Sequence, residues 1–334
     1  MKALQLIGYG GPSKTEFRDV PIPQPTADEV LVRLTAAALN PVDYKIRKGY
    51  LRVIVSRKLP LTLGNDFCGI VETVGGTNNT LHVGQRVYGC TGIEHLGTFS
   101  EYAVVRKDRL ATSPENLSDT QAASITLAGL TALQALRDVL KIQPGQRVFI
   151  SGGAGGVGTL AIQIAKILGA EVTTTASSRG RDLVLRLGAD QVVDYADAAA
   201  LAKLRDFDVA FDLVGGSTTG KMFRMLKRGA MLVSIAATPE PETATVDLHG
   251  GFWLRQLFGA ISLPLRLRAR WNGVRYRYYF MTSKSEDLQW LAERCQEGKL
   301  VPVIDREFPL AEAKEALAYL EQGRSKGKVV LKMT

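Results

Sequence analysis

The residues whose types and spacing point most directly to chemistry are glycines. Gly153, Gly155 and Gly158 make a Gly-x-Gly-x-x-Gly directly after the apolar run Val148-Phe149-Ile150. Val157, Leu160, Ala161, Ile164, Ala165 and Leu168 then recur at the spacing of one helix face, so the glycines join a predicted strand to a predicted helix. A dinucleotide pyrophosphate needs that context: bare backbone lets it approach, and the amides and dipole of the helix start stabilise its charge. The following strand, Glu171–Ala176, would end in Asp or Glu if it held a ribose 2′-hydroxyl. It runs instead into Ser177-Ser178-Arg179-Gly180-Arg181, whose hydroxyls and guanidinium groups suit a 2′-phosphate. The expected cofactor is NADPH, with Gly153, Ala154, Gly155, Gly156, Val157, Gly158, Ser177, Ser178 and Arg181 among its contacts.

Holding such a loop requires a parallel sheet, and from about Ser118 the chain alternates accordingly. Helical spacing covers Gln121–Leu140 and Gly156–Leu168, and strands are predicted at Arg147–Ser151, Glu171–Ala176, Gln191–Val193, Val209–Leu213 and Ala230–Ile235. An edge strand at Val274–Met281 would set Val274, Tyr276, Tyr278 and Phe280 on one face and Arg275 and Arg277 on the other. Val214 and Ile235, at the ends of two of these strands, complete the candidate cofactor contacts. Residues 1–118 read differently, as short alternating runs separated by Gly, Pro and Asn, the pattern of a sandwich or partly open barrel. After residue 283 the texture is mixed, with a helix at Ala311–Leu320, a stop at Gly323 and a last strand at Val329–Lys332. The expected fold class is therefore α/β, a Rossmann-type doubly wound parallel sheet (119–283) beside a mainly β domain (1–118 with 284–334).

Composition narrows the function classes. With 334 residues, 46% hydrophobic and 22% charged, extended disorder is excluded and two cores are expected. Three cysteines without short spacing fit a reducing, cytoplasmic setting, and the start Met1–Gly8 has too short an apolar run for an export signal. The uncharged stretch Leu257–Leu265 is about half a bilayer span. Seven of the net +9 charges fall between Leu248 and Ser285, which holds no acid, leaving the rest of the chain at +2. The basic balance is thus local: either a solvated helix–strand surface or a peripheral patch for anionic lipid through residues 251–280. No nucleic-acid motif accompanies it.

The chain resembles the medium-chain dehydrogenase/reductase superfamily in its zinc-free quinone oxidoreductase branch. An ordered set of motifs carries the likeness: Ala38-Leu39-Asn40-Pro41-Val42-Asp43, Leu63-Gly64-Asn65-Asp66-Phe67-Cys68-Gly69, Val83-Gly84-Gln85-Arg86-Val87, Gly97-Thr98-Phe99-Ser100-Glu101-Tyr102, Ala128-Gly129-Leu130-Thr131-Ala132, Leu187-Gly188-Ala189-Asp190 and Phe308-Pro309-Leu310. Asn40–Pro60 is most similar to plant envelope quinone oxidoreductase homologues and related enone reductases. The resemblance implies a GroES-like catalytic domain built from both ends of the chain, a Rossmann domain inserted between them, an active site in the cleft and a homodimer paired through the edge strand. It matches Tyr195 to a tyrosine beside the ribose phosphate, Thr131 to the pyrophosphate side and Asn40 to the nicotinamide end.

Zinc-dependent members carry Cys where this chain has Asn40 and His where it has Asn65. Amides are poor zinc ligands, so neither a catalytic nor a structural zinc is expected. Without a Lewis acid, alcohol oxidation loses its activation, whereas a conjugated carbonyl already presents an electrophilic carbon. The reading is an NADPH-dependent reductase of a small hydrophobic quinone or enone. The candidate groups at the reacting end are Asn40, Tyr44 and Lys45, the last two as donors to the developing enolate, while Asp43 reads as structural. Two alternatives stand beside it: a zinc-independent alcohol dehydrogenase, and an NADPH-binding protein associated with membrane or RNA. Residues 251–265, apolar and aromatic, read either as a roof for a hydrophobic substrate or as core and dimer contact.

Overall fold

In the computed structural model, residues 1–333 are described apart from 53, 55–57 and 78–79; Arg57 of the Asn40–Pro60 stretch therefore lies outside the described residues. The first part of the chain forms β1 (Lys2–Leu6), β2 (Thr15–Asp19), β3 (Glu29–Leu39), α1 (Pro41–Lys48), β4 (Leu61–Thr62), β5 (Asp66–Val74), β6 (Arg86–Cys90), β7 (Tyr102–Arg106) and β8 (Leu110–Thr112). The middle follows with α2 (Asp119–Ser124), α3 (Thr126–Leu133), β9 (Arg147–Ile150), α4 (Gly156–Ile167), β10 (Glu171–Ala176), α5 (Ser178–Arg186), β11 (Gln191–Asp194), α6 (Ala198–Lys203), β12 (Phe207–Asp212), α7 (Ser217–Met222), β13 (Leu226–Ser234), α8 (Phe252–Trp271) and β14 (Arg275–Tyr278). The tail supplies α9 (Ser285–Gln296), β15 (Ile304–Pro309), α10 (Ala313–Glu321) and β16 (Lys328–Lys332).

The first domain, Met1–Leu130 with Ser283–Thr334, is organised around β3. That strand pairs antiparallel with β5 along one edge and, along the other, with β7 over residues 29–33 and β16 over residues 36–39. Its alternation explains the arrangement. Val30, Val32 and Leu34 pack with Phe67, Val71, Val87 and Val105, while Ala37 and Leu39 join Leu4, Leu6 and Phe99 in a second cluster. The tail completes this second cluster with Phe308, Ala316, Leu317, Val329 and Leu331, so β16 is part of the same core rather than an appendage. Removing each of the Val, Leu and Phe side chains from water is worth about 1.5–3 kcal/mol.

The second domain, Thr131–Thr282, is a six-stranded sheet in the order β11-β10-β9-β12-β13-β14, with every neighbouring pair parallel. This is the doubly wound order, with its switch point between β9 and β12, the place where sheets of this order bind their ligands. The domain boundary falls at 130/131 rather than at 118/119. Ser118 caps α2 in a reciprocal capping box with Gln121, α2 packs on β3 and β5, and the amide of Leu127 donates to Asp66 Oδ1 (3.0 Å). These contacts hold residues 119–130 in the first domain. They also split the single helix predicted at Gln121–Leu140 into α2 and α3.

Arg277, counted among the basic residues of an exposed surface, is instead buried. It is 4% exposed, and its guanidinium reaches Glu240 Oε1 (2.7 Å), Asp247 Oδ1 (2.5 Å) and the Thr243 hydroxyl (3.0 Å). The acids lie just before Leu248, outside the acid-free stretch, and one of its seven positive charges is internally neutralised. Arg277→Met would leave two carboxylates without their cation, side chains otherwise only 7% and 3% exposed. Urea denaturation is expected to show a loss of about 3–5 kcal/mol.

Candidate functional site

The glycine loop after β9 is built from backbone packing. A Cβ on Gly153 would stand 2.2 Å from Thr174 Oγ1, and one on Gly158 would stand 2.3 Å from the Gly152 carbonyl oxygen. Both positions therefore exclude a side chain and let α4 rest directly on the loop. Gly155, the N-cap of α4, is different: the nearest atom to its Cβ position is the Gly152 oxygen at 3.5 Å. The first-turn amides at Gly156, Val157 and Gly158 have no acceptor inside the helix. Bare backbone, donor amides and an uncrowded approach fit a pyrophosphate.

The 2′-phosphate candidates gather beside this loop. A Cβ on Gly180 would lie 3.0 Å from that of Ala154, so the first turn of α5 rests against the loop and brings Ser177 and Ser178 to it. Ser177 is the N-cap of α5 yet makes no capping hydrogen bond, which leaves its hydroxyl unspent by the helix. Arg181 is exposed, and its Nη1 donates to the Val192 carbonyl (3.0 Å), anchoring the guanidinium between α5 and β11. Tyr195 follows β11 and is 64% exposed. Thr131, by contrast, is a buried residue of α3.

Across the switch point, a residue that motif reading passed over does the organising. Asp212, fully buried at the end of β12, accepts at Oδ1 from the Ser151 hydroxyl (3.0 Å) and the amides of Val214 (3.1 Å) and Gly215 (3.0 Å). Its Oδ2 accepts from Thr219 (2.6 Å) and Ser234 (3.1 Å). One carboxylate thereby joins the ends of β9, β12 and β13 and fixes Val214, whose methyl Cγ2 borders the Gly152 Cβ position at 3.2 Å. Ile235 is held by its amide to the Asp212 carbonyl (3.1 Å) and by Tyr278 Oη, which donates to its own carbonyl (3.1 Å). The available signal was an acid closing an apolar strand, with serines closing its two neighbours.

In the first domain, Asn40, Asp43, Asn65, Asp66 and Lys328 form a closed polar network, each at most 4% exposed. Asn40 Nδ2 donates to Asp66 Oδ2 (2.8 Å), and Asn40 Oδ1 accepts from Lys328 Nζ (2.5 Å), which also lies 3.3 Å from Asp66 Oδ2. Asp43 accepts from the Asn40 amide (2.7 Å) and from Asn65 Nδ2 (3.1 Å), completing a capping box at the start of α1. Asn65 Oδ1 is buried without a hydrogen-bond partner. Asn40, expected at the nicotinamide end, thus has both amide atoms committed, and what it contributes is the position of α1.

Helix α1 carries the two donor candidates. Tyr44 is half-buried against the cluster of Leu4, Leu39 and Leu317, with Lys48 Nζ 5.8 Å from its ring centroid. Burial, together with the nearby Glu321 charge, raises its pKa and keeps the phenol protonated. Burial lowers the pKa of Lys45, which makes its ammonium readier to give up a proton than that of an exposed lysine.

Comparison with known proteins agrees with this architecture. The family model "Alcohol dehydrogenase GroES-like domain" matches residues 26–115, and "Zinc-binding dehydrogenase" matches residues 187–331. Over 325 residues, 91% of this chain and 81% of the relative, the sequence is 34% identical to "NAD(P)H oxidoreductase RTN4IP1, mitochondrial" of Mus musculus. The chain belongs to the medium-chain dehydrogenase/reductase superfamily. Another relative within that superfamily is "2-methylene-furan-3-one reductase" of Solanum lycopersicum, 34% identical over 99% of this chain and 79% of its own length. The solved structure of the quinone oxidoreductase from Coxiella burnetii superposes with a TM-score of 0.87 at 34% identity, covering 100% of this chain and 99% of that one. In this medium-chain dehydrogenase/reductase the side-chain amides of Asn40 and Asn65 donate to Asp66 and Asp43 respectively.

Burial pushes the Asp43 carboxyl from 3.8 up to about 7, and the Asp66 charge adds to it, against the opposing pull of its two hydrogen bonds and of Lys328. Between these values the folded chain retains a proton that the unfolded chain has released, so the contribution of Asp43 to stability falls as pH rises from about 4 to about 7 and is level above. The stability difference between wild type and Asp43→Asn, measured by urea denaturation across that range, is expected to shrink by up to about 4 kcal/mol.

Proposed function

We propose that this oxidoreductase is an NADPH-dependent reductase that delivers a hydride to a small hydrophobic quinone or α,β-unsaturated carbonyl without a metal ion. The observation that carries the reading is the pairing of two substitutions. The end of β10 offers Ser177 and Arg181 where an NAD site would place an acid, and the ligand positions of zinc relatives hold the bonded amides of Asn40 and Asn65. Its relatives' names support it: one is an NAD(P)H oxidoreductase, one a reductase of a methylene-furanone, and one structural neighbour a quinone oxidoreductase.

NADPH, when bound, supplies the hydride. The chain's own groups do the rest. The glycine loop and the first turn of α4 hold the pyrophosphate, Ser177 and Arg181 the 2′-phosphate, and Val214 and Ile235 the wall fixed by Asp212. A conjugated acceptor spreads the arriving charge onto its carbonyl oxygen, which needs a hydrogen-bond donor and then a proton. Tyr44 and Lys45 fill these roles, the phenol as a donor that stays protonated and the depressed ammonium as the acid. The proposal extends to a homodimer paired through β14, which forms one edge of its sheet, and to a reducing, cytoplasmic setting, supported by three unpaired, buried cysteines.

Anaerobic oxidation of NADPH and NADH against naphthoquinone, alkenals and simple alcohols tests the reading. The expected result is saturable turnover of a quinone or an alkenal with NADPH at a kcat/KM at least about tenfold above that with NADH. Arg181→Ala should raise KM for NADPH about tenfold and leave KM for NADH unchanged, the size expected for one charge-assisted hydrogen bond. Equal use of the two cofactors, or turnover of alcohols alone, would overturn it. Full turnover in both Tyr44→Phe and Lys45→Met would assign the proton to water.

A further inference from the structure

Helix α8 has two apolar faces and only one is used. Phe258, Ser262, Leu265 and Ala269 recur at i, i+4, i+7 and i+11 and face inward; Leu265 and Ala269 pack into the cluster of Met222, Phe223 and Leu232. On the opposite side Trp253, Leu257, Ala260, Pro264, Leu267 and Trp271 repeat the same spacing, all exposed and none charged. The two tryptophans are 82% and 90% exposed, one near each end of the helix. A continuous outward stripe of this kind is the exception on a protein surface and marks a contact face.

Charge identifies the occupant. By helical spacing Arg255, Arg266 and Arg270 run along one flank of the stripe and Arg268 along the other, and α8 carries no acid. At its C-terminal end Arg224, Leu267, Arg268, Trp271 and Asn272 line one hollow, with the Arg268 guanidinium held over Gly220, 2.7 Å from where a Cβ would be. Of the acids near the other end, Glu240 is buried against Arg277, while Glu242 lies 3.4 Å from Arg277, is 61% exposed and shares a hollow with Arg255 and Arg266. Of these two hollows, the one at the C-terminal end is lined by arginines without an acid. A second copy of this helix would set arginine flank against arginine flank with no carboxylate on α8 between them. A surface of lipid headgroups offers the complementary arrangement: apolar side chains enter the boundary between headgroups and acyl chains, tryptophans sit at that level, and guanidinium forks take phosphate. The helix is 20 residues long, about 30 Å at the α-helical rise. No helix among the described residues is long and apolar enough to cross a membrane, so α8 would lie in the surface plane.

We propose that α8 docks this protein onto bilayers of anionic phospholipid, with the hollow between Arg224, Arg268 and Trp271 receiving a headgroup phosphate. The inference is independent of the reductase reading, since vesicle binding is read without substrate or cofactor.

The test is sedimentation of the full-length protein with vesicles of phosphatidylcholine alone or with about 30% phosphatidylglycerol, at low salt and at about 0.5 M NaCl. Binding to the anionic vesicles at low salt is expected, at least tenfold weaker at high salt or on neutral lipid, with a blue shift of tryptophan emission on binding. Arg224→Glu/Arg268→Glu should weaken binding at least tenfold, and Trp253→Ser/Trp271→Ser should abolish the shift, leaving the signal of Trp290 in α9 as a constant background. Circular dichroism and thermal melting of each variant report folding separately. No low-salt binding by the folded wild type, equal binding to neutral lipid, or a dimer that Leu267→Ser/Trp271→Ser dissociates would overturn the proposal, the last in favour of a second copy.

Discussion

A single buried ammonium ties together the first domain. Lys328 Nζ, at the start of β16, meets Asn40 Oδ1 at the end of β3 and Asp66 Oδ2 at the start of β5, while the other oxygen of Asp66 takes the Leu127 amide of α3. Four stretches distant in sequence therefore converge on one ion pair 5% and 0% exposed. Taking a lysine and an aspartate out of water costs several kcal/mol each, and the cost is offset only because amides and backbone satisfy the remaining valences. The result is positional: α1, which carries Tyr44 and Lys45, starts from a fixed point.

The second domain solves the same problem with the opposite sign. Asp212 is a buried anion with five donors, drawn from hydroxyls and amides instead of a cation. Hydrogen bonds to a charged acceptor are stronger than neutral ones, and five of them lock three loop starts together at the place where the sheet changes direction. Each domain thus buries a charge and uses it to fix the starts of neighbouring elements, α1 in the first and the turns after β9, β12 and β13 in the second.

The Rossmann sheet was legible in the chain because its signals are local. Glu171–Ala176 reads as a strand and is one, and the glycine loop is recognisable from the strand before it and the helix after it. What escaped depended on partners far away. Nothing between Gln121 and Leu140 shows that Asp66, some sixty residues earlier, will claim the Leu127 amide and break the helix. Arg277 counts towards an exposed basic surface because its acids fall just upstream of the acid-free stretch, and nothing near Lys328 in the sequence points to its partners at the other end of the chain. Alternation along a strand assigns a side chain to a face, but it does not say what waits there.

The insertion of β16 beside β3 also has a temporal meaning. The whole of the second domain is encoded between the two segments of the first, so a ribosome releases a complete nucleotide-binding sheet before β16 exists. Until then β3 has a bare edge over residues 36–39, and Asn40 and Asp66 face each other without their cation. The nascent protein therefore passes through a stage in which its glycine-loop sheet can be finished while the first domain is still open along β3, and a strand made only afterwards closes it.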